Sequence, residues 1–213
     1  MKTFYKLSQE EILKINKRQE FEIKNGILVR YNGIDKDAVV PETVTEIGKG
    51  AFSVFRVQDK KVKKIRFVPV ENIQMPVHLE AVGDYAFAGC SRIVNIIIPD
   101  DVSQIGEGVF FGCSSLVQVV LPDKVKIISA FAFSECENLE KVTLPDTLEM
   151  INDYAFAKCR KLSSVSIPGN VKHIGKGAFY GCDGLKEIRI SGSLKDIADD
   201  AVPEETKVIV FQI

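Results

Sequence analysis

Cys159-Arg160-Lys161-Leu162-Ser163-Ser164-Val165-Ser166-Ile167-Pro168-Gly169-Asn170-Val171-Lys172-His173-Ile174-Gly175-Lys176-Gly177-Ala178-Phe179 decides the architecture. It reads C-x-x-L-x-x-V-x-I-P-x-x-V-x-x-I-G-x-x-A-F, and the same apolar order recurs along most of the 213 residues. Phe87, Phe110, Phe133, Phe156 and Phe179 stand 23 residues apart, as do Cys90, Cys113, Cys136, Cys159 and Cys182. Pro99, Pro122, Pro145 and Pro168 keep the same step, with Ile93, Leu116, Leu139, Leu162 and Leu185 between Cys and Pro. Self-similarity at a fixed period of this length is the signature of a solenoid.

One turn translates directly into local structure. In Leu162-Ser163-Ser164-Val165-Ser166-Ile167-Pro168 apolar and polar residues alternate, which predicts a half-buried strand. Pro168 has no N–H for a ladder and ends it; Gly169-Asn170 supply the turn. Val171 and Ile174 return inward. Gly175, like Gly48, Gly83 and Gly106, predicts a backbone site with positive φ, where Asn152 stands in one turn. Ala178-Phe179 predicts a short helical or irregular segment on the outer side. Each turn has one apolar face that it cannot bury alone, so the turns must stack.

The columns extend both ways. Pro41, Val44, Ile47, Gly48, Ala51 and Phe52 form an earlier turn, and Phe52 to Phe87 is 35 residues, one period plus twelve. The reading puts about four extra residues within 55–61 and about eight within 68–75. Ile197, Ala201, Val202, Val208, Phe211 and Ile213 fall one period after Ile174, Ala178, Phe179, Leu185, Ile188 and Ile190. Residues 34–213 are therefore expected to form about seven turns, with an expanded turn near 55–75. Residues 1–33 are expected to cap them with a helix and a hairpin. Ser8-Gln9-Glu10-Glu11 is a capping box ahead of Ile12, Leu13 and Ile15, and Asn25-Gly26 reads as a tight hairpin turn.

These residues resemble the BspA-like leucine-rich repeat family, and a period of 23 lies within the leucine-rich-repeat range of roughly 20–29. Phe21-Glu22-Ile23-Lys24-Asn25-Gly26-Ile27-Leu28-Val29-Arg30-Tyr31-Asn32-Gly33 is also similar to the family's N-terminal unit. The resemblance spans roughly residues 20 to 213. It implies a right-handed solenoid with a parallel strand per turn and little helix. It further implies bacterial origin and a protein-binding or adhesion-type role, often at the cell surface.

Composition narrows the function classes. A net charge of −1 argues against nucleic acid as a partner, which needs clustered excess Lys and Arg. The basic run Lys60, Lys61, Lys63, Lys64 and Arg66 has no aromatic alternating with it for base stacking and reads as solvated strand edge. No apolar run reaches the roughly 18 residues of a membrane span, so no membrane insertion is expected. Residues 1–10 lack the apolar stretch of a secretory leader, which places the chain in the cytoplasm unless a leader has been removed.

Catalytic and metal chemistry find no constellation. The once-per-turn Cys residues read as a buried, reduced ladder of small hydrophobes. They lack the Cys-x-x-Cys and His spacing of a zinc site. His78 and His173 occupy different repeat positions and have no nucleophile partner implied by spacing. Asp100-Asp101 and Asp199-Asp200 match no calcium loop, and no Gly-rich phosphate loop occurs. The expectation is a non-enzyme with no cofactor and no metal.

The surface reading is more specific. Residues that alternate with core positions point out of a sheet. These are Lys64 and Arg66, Asn95 and Ile97, Gln118 and Val120, Lys141 and Thr143, Ser164 and Ser166, Glu187 and Arg189. They form the candidate binding face for another protein. The alternative is a scaffold segment joined through its open last turn, where Phe211 and Ile213 would support self-association.

Overall fold

Every 23-residue turn crosses the molecule on three sides, and main-chain hydrogen bonds tie neighbouring turns together, the front strands in three sheets and the returning strands in two. The computed structural model describes residues 20–58, 61–64, 68–194 and 196–211. The expected helix within residues 8–19, and Arg66 and Ile213, lie outside them.

The front side carries the anticipated strand. Asn95–Ile97, Gln118–Val120 and Lys141–Thr143 pair in parallel, with Gln118 opposite both Asn95 and Lys141. Ser164–Ser166, Glu187–Ser191 and Lys207–Phe211 pair likewise, as do Asp37–Val39 and Asn72–Gln74. The sequence reading gave one strand per turn, but each turn has two. After the proline corner a two-residue strand returns, as in Gln104–Ile105, Ile127–Ile128, Met150–Ile151 and His173–Ile174. They lie in two parallel runs: Ile27–Tyr31, the second strand of the first hairpin, pairs with Glu46–Ile47, which leads through Ala81–Val82 to Gln104–Ile105, and Ile127–Ile128 begins a second run through Met150–Ile151 and His173–Ile174 to Asp196–Ile197. Two residues are too short to show an alternation.

The third side is irregular but bonded. Phe87, Phe110, Phe133, Phe156 and Phe179 each donate their N–H to the next turn, for example Phe133 to the Ala155 carbonyl at 2.7 Å. Positive φ occurs here, at sites other than those expected. One column holds Gly50, Tyr85, Gly108, Phe131, Tyr154 and Gly177, and a second holds Gly89, Gly112, Glu135, Lys158 and Gly181. The column of Gly48, Gly83, Gly106 and Gly175 has no positive φ, and neither does Asn152. Glycine serves there through close approach: a Cβ on Gly106 would lie 2.4 Å from the Asp84 main-chain nitrogen. Bulky residues in the left-handed region are rare, and two of the three aromatics there have rings lying over a glycine of the next turn. A Cβ on Gly108 would meet the Tyr85 ring at 2.3 Å, and one on Gly177 the Tyr154 ring at 2.5 Å. Phe131 stacks on Tyr154 at 5.4 Å.

Inside runs a continuous aromatic spine. Phe21, Tyr31, Phe52, Phe87, Phe110, Phe133, Phe156 and Phe179 lie ring to ring with centroids 4.9–5.4 Å apart. From Tyr31 to Phe179 each ring is at most 1% exposed. Full burial of one such ring contributes about 1.5–3 kcal/mol. Burial also pushes the Tyr31 hydroxyl up to about 12. Beside the spine all five Cys residues are buried, and none is in a disulfide. Each thiol donates to a Phe carbonyl one turn back, Cys136 to Phe110 at 3.2 Å and Cys182 to Phe156 at 3.1 Å. Burial holds the Cys113, Cys136 and Cys159 thiols well above the usual range.

Two length changes interrupt the period. Asn72–Gln74 is exactly one period before Asn95–Ile97, so the extra residues do not divide between two places. They lie ahead of Val70, around an antiparallel hairpin of Phe55–Gln58 and Lys61–Lys64. At the other end Ile188 pairs with Val208 and Ile190 with Val210, an offset of 20 residues. Phe211 therefore aligns with Ser191 and not with Ile188, which corrects its assignment to the core column. Pro203-Glu204-Glu205-Thr206 replaces the Cys segment, and Thr206 donates to the Leu185 carbonyl at 2.8 Å.

Candidate binding surface

Alternation along the front strands turns every second side chain outward, and parallel pairing within three sheets, with the 23-residue step between them, orders these residues into two columns across the turns. The first holds Asp37, Asn72, Asn95, Gln118, Lys141, Ser164, Glu187 and Lys207; the second holds Val39, Gln74, Ile97, Val120, Thr143, Ser166, Arg189 and Ile209. Ten of the twelve residues expected on this face occupy it: Asn95, Ile97, Gln118, Val120, Lys141, Thr143, Ser164, Ser166, Glu187 and Arg189. All are exposed except Glu187, which is half-buried.

Lys64 is not among them. It sits in the inserted hairpin, opposite Phe55, and Asn72 and Gln74 take the places assigned to Lys64 and Arg66. The misplacement has a clear source. Lys64-Ile65-Arg66-Phe67 alternates like a strand and is soon followed by Pro69, but Asn72-Ile73-Gln74-Met75-Pro76 carries the full strand-and-proline order. Asp37 and Val39 were also missed, although Asp37-Ala38-Val39-Val40-Pro41 has the same form.

The face divides chemically along its length. Val39, Ile97 and Val120 are 61%, 83% and 50% exposed. Ile97 and Val120 are direct cross-strand neighbours, and with Asn95, Gln118, Asp100 and Lys124 they border a shallow open depression of about 710 Å³. Further along, the second column turns to Thr143, Ser166 and Arg189. Arg189 donates to the Glu187 carboxylate at 2.8 Å, and at the first strands the Asn72 amide donates to Asp37 at 2.6 Å. Among the described residues no group of three or more His, Cys, Asp or Glu side chains could hold a metal ion. No helix among them is long and apolar enough to cross a membrane.

A BspA type leucine-rich repeat region matches in six copies over residues 22–126 and 80–208. The chain belongs to the BspA-type leucine-rich repeat family. Such repeats are generally protein-interaction modules. Among solved structures it is similar to a leucine-rich repeat protein from Eubacterium ventriosum, 27% identical with a TM-score of 0.66, covering 85% of this chain and 49% of that one. The T. pallidum leucine-rich repeat protein is 25% identical with a TM-score of 0.56, covering 91% and 84%. A Bacteroides ovatus leucine-rich repeat protein is 24% identical with a TM-score of 0.54, covering 80% and 55%. The chain thus spans about half the length of two of these proteins. No curated protein matches it.

Proposed function

We propose that this BspA-type repeat region binds another protein through its front face, centred on Ile97 and Val120. The observation that carries the reading is the adjacency of these two exposed β-branched side chains on a sheet fixed by main-chain pairing, with polar Asn95 and Gln118 beside them. An apolar centre with a polar rim is the usual anatomy of a protein contact, and a laddered sheet offers it with little ordering cost.

A photo-crosslinking residue at position 97, expressed in the native cell, tests this. Capture of a defined protein is expected there and not from Tyr180, an exposed residue on the third side. Ile97→Asp with Val120→Asp should abolish capture and leave the melting temperature nearly unchanged, since both side chains face solvent. Capture that survives the double substitution would sink the proposal.

A further inference from the structure

The two turns that carry Ile97 and Val120 are joined differently at front and back. At the front Val120 pairs with Ile97 and Gln118 with Asn95. On the third side the Phe110 N–H donates to the Ala132 carbonyl at 2.8 Å. On the returning side the ladder stops: Gln104–Ile105 is the last strand of one sheet and Ile127–Ile128 the first of the next.

The residue that follows each returning strand shows the cause. In neighbouring turns its N–H donates to the strand one turn back: Gly106 to the Val82 carbonyl at 2.8 Å, Asn152 to Ile128 at 2.9 Å and Gly175 to Ile151 at 2.8 Å. At Ser129 the side chain takes the place of the main chain, and its hydroxyl donates to the Ile105 carbonyl at 2.7 Å. A serine hydroxyl competes with the backbone for such acceptors. The entry to the returning strand repeats the difference. Ser103 donates to Glu80 at 3.0 Å and Glu149 to Lys126 at 2.8 Å, but among the described residues no such bond joins Lys126 to Ser103.

The core registers the same step. From Phe87 to Phe179 neighbouring rings lie 4–7° from parallel, except Phe110 and Phe133, which meet at 22°. A shallow depression of about 600 Å³ lies over the seam, lined by Gln104 and Ile105 of one turn and Lys126, Ile127 and Ser129 of the next. We propose that the stack hinges here: the paired front strands act as the leaf, and the Ser129 hydroxyl holds the returning side apart. Opening and closing at the seam changes the angle between the strands that carry Ile97 and Val120, so Ser129 acts on the front face from the opposite side of the molecule. Its bearing on a bound partner rests on the function proposed above; the hinge itself does not.

Hydrogen exchange of the full chain, read residue by residue by NMR, tests it. The Ile127 and Ser129 amides should exchange at least about tenfold faster than those of Met150 and Asn152, their counterparts one turn on. Ser129→Gly places here the residue found at Gly106 and Gly175. It should return the Ile105 carbonyl to the main chain and slow both amides to the rates of Met150 and Asn152. Ser129→Ala should do the same, since Ala198 in this column donates to Ile174 at 3.0 Å; two variants guard against a folding defect peculiar to one. Spin labels at Val77→Cys and Tyr180→Cys, exposed sites on either side of the seam, should give a broad distance distribution that narrows in Ser129→Gly. Equal exchange at the two levels in the parent chain, or amides or distances unmoved by the substitutions, would overturn the proposal. Failure of capture at position 97 would count against the front-face reading alone.

Discussion

The turn that gains twelve residues and the turn that loses three differ from the regular turns in the same arc. Both changes fall between the aromatic column and the front strand: residues from Phe55 up to Val70 in one case, Pro203 to Thr206 in the other. Elsewhere in both turns the order is kept. Phe52 stacks on Phe87 at 5.1 Å across the insertion, and Ala201 is fully buried in the column of Ala178. The front and returning strands of these turns pair with neighbouring turns and Phe52 stacks on its neighbours in the spine, so a shift there would break that pairing and stacking. The arc after the spine is where chain can be added or removed at small cost. It is also where the thiol sits, and neither altered turn has a Cys in its column.

The largest effect that sharpens this contrast is expected at the spine. Phe156→Ala removes a fully buried ring stacked on both sides and should cost about 3–5 kcal/mol in denaturant unfolding. A loss below about 1 kcal/mol, the scale of surface changes, would break the comparison. Next, the thiols of the regular turns should be inert. Burial raises the Cys113, Cys136 and Cys159 thiols, so alkylation stays slow even in mild alkali, where an exposed thiol ionises. Five thiols should react once denaturant is added, and rapid labelling of the native chain would contradict the arrangement. Thr206→Val removes the bond that closes the shortened arc on Leu185. It should cost about 1–2 kcal/mol, the effect of leaving a buried acceptor unpaired; an unchanged midpoint would show that the arc is closed by other contacts. The smallest effect is expected from excising the twelve extra residues to restore the 23-residue step, a change within about 1 kcal/mol. A loss as large as that of Phe156→Ala would mean that the hairpin is part of the core.

What the sequence discloses follows from how often a signal repeats. The Phe, Cys, Leu and Pro columns recur through five cycles, and the core they predict is the one observed. The front face followed from strand alternation alone, except where Lys64-Ile65-Arg66-Phe67 imitated the true strand at Asn72-Ile73-Gln74. Three features were beyond reach. A strand of two residues, such as Gln104–Ile105, has no periodicity to detect. The left-handed sites at Tyr85, Phe131 and Tyr154 are held by main-chain bonds between turns, which override the local reluctance of an aromatic residue. The three-residue deletion after Val202 left Phe211 at a plausible core position, and only the pairing of Val208 with Ile188 reveals the slip.

The spacing of the spine makes the core of the molecule a ruler along its axis. Successive rings from Phe87 to Phe179 are separated by 5.2–5.4 Å, close to the 5.4 Å pitch of an α-helix. In an extended chain, side chains on one side recur about every 6.8 Å. An extended segment laid along the axis would drift out of phase with the turns within a few residues. A helix laid the same way would keep closer step, one of its turns to each ring of the spine.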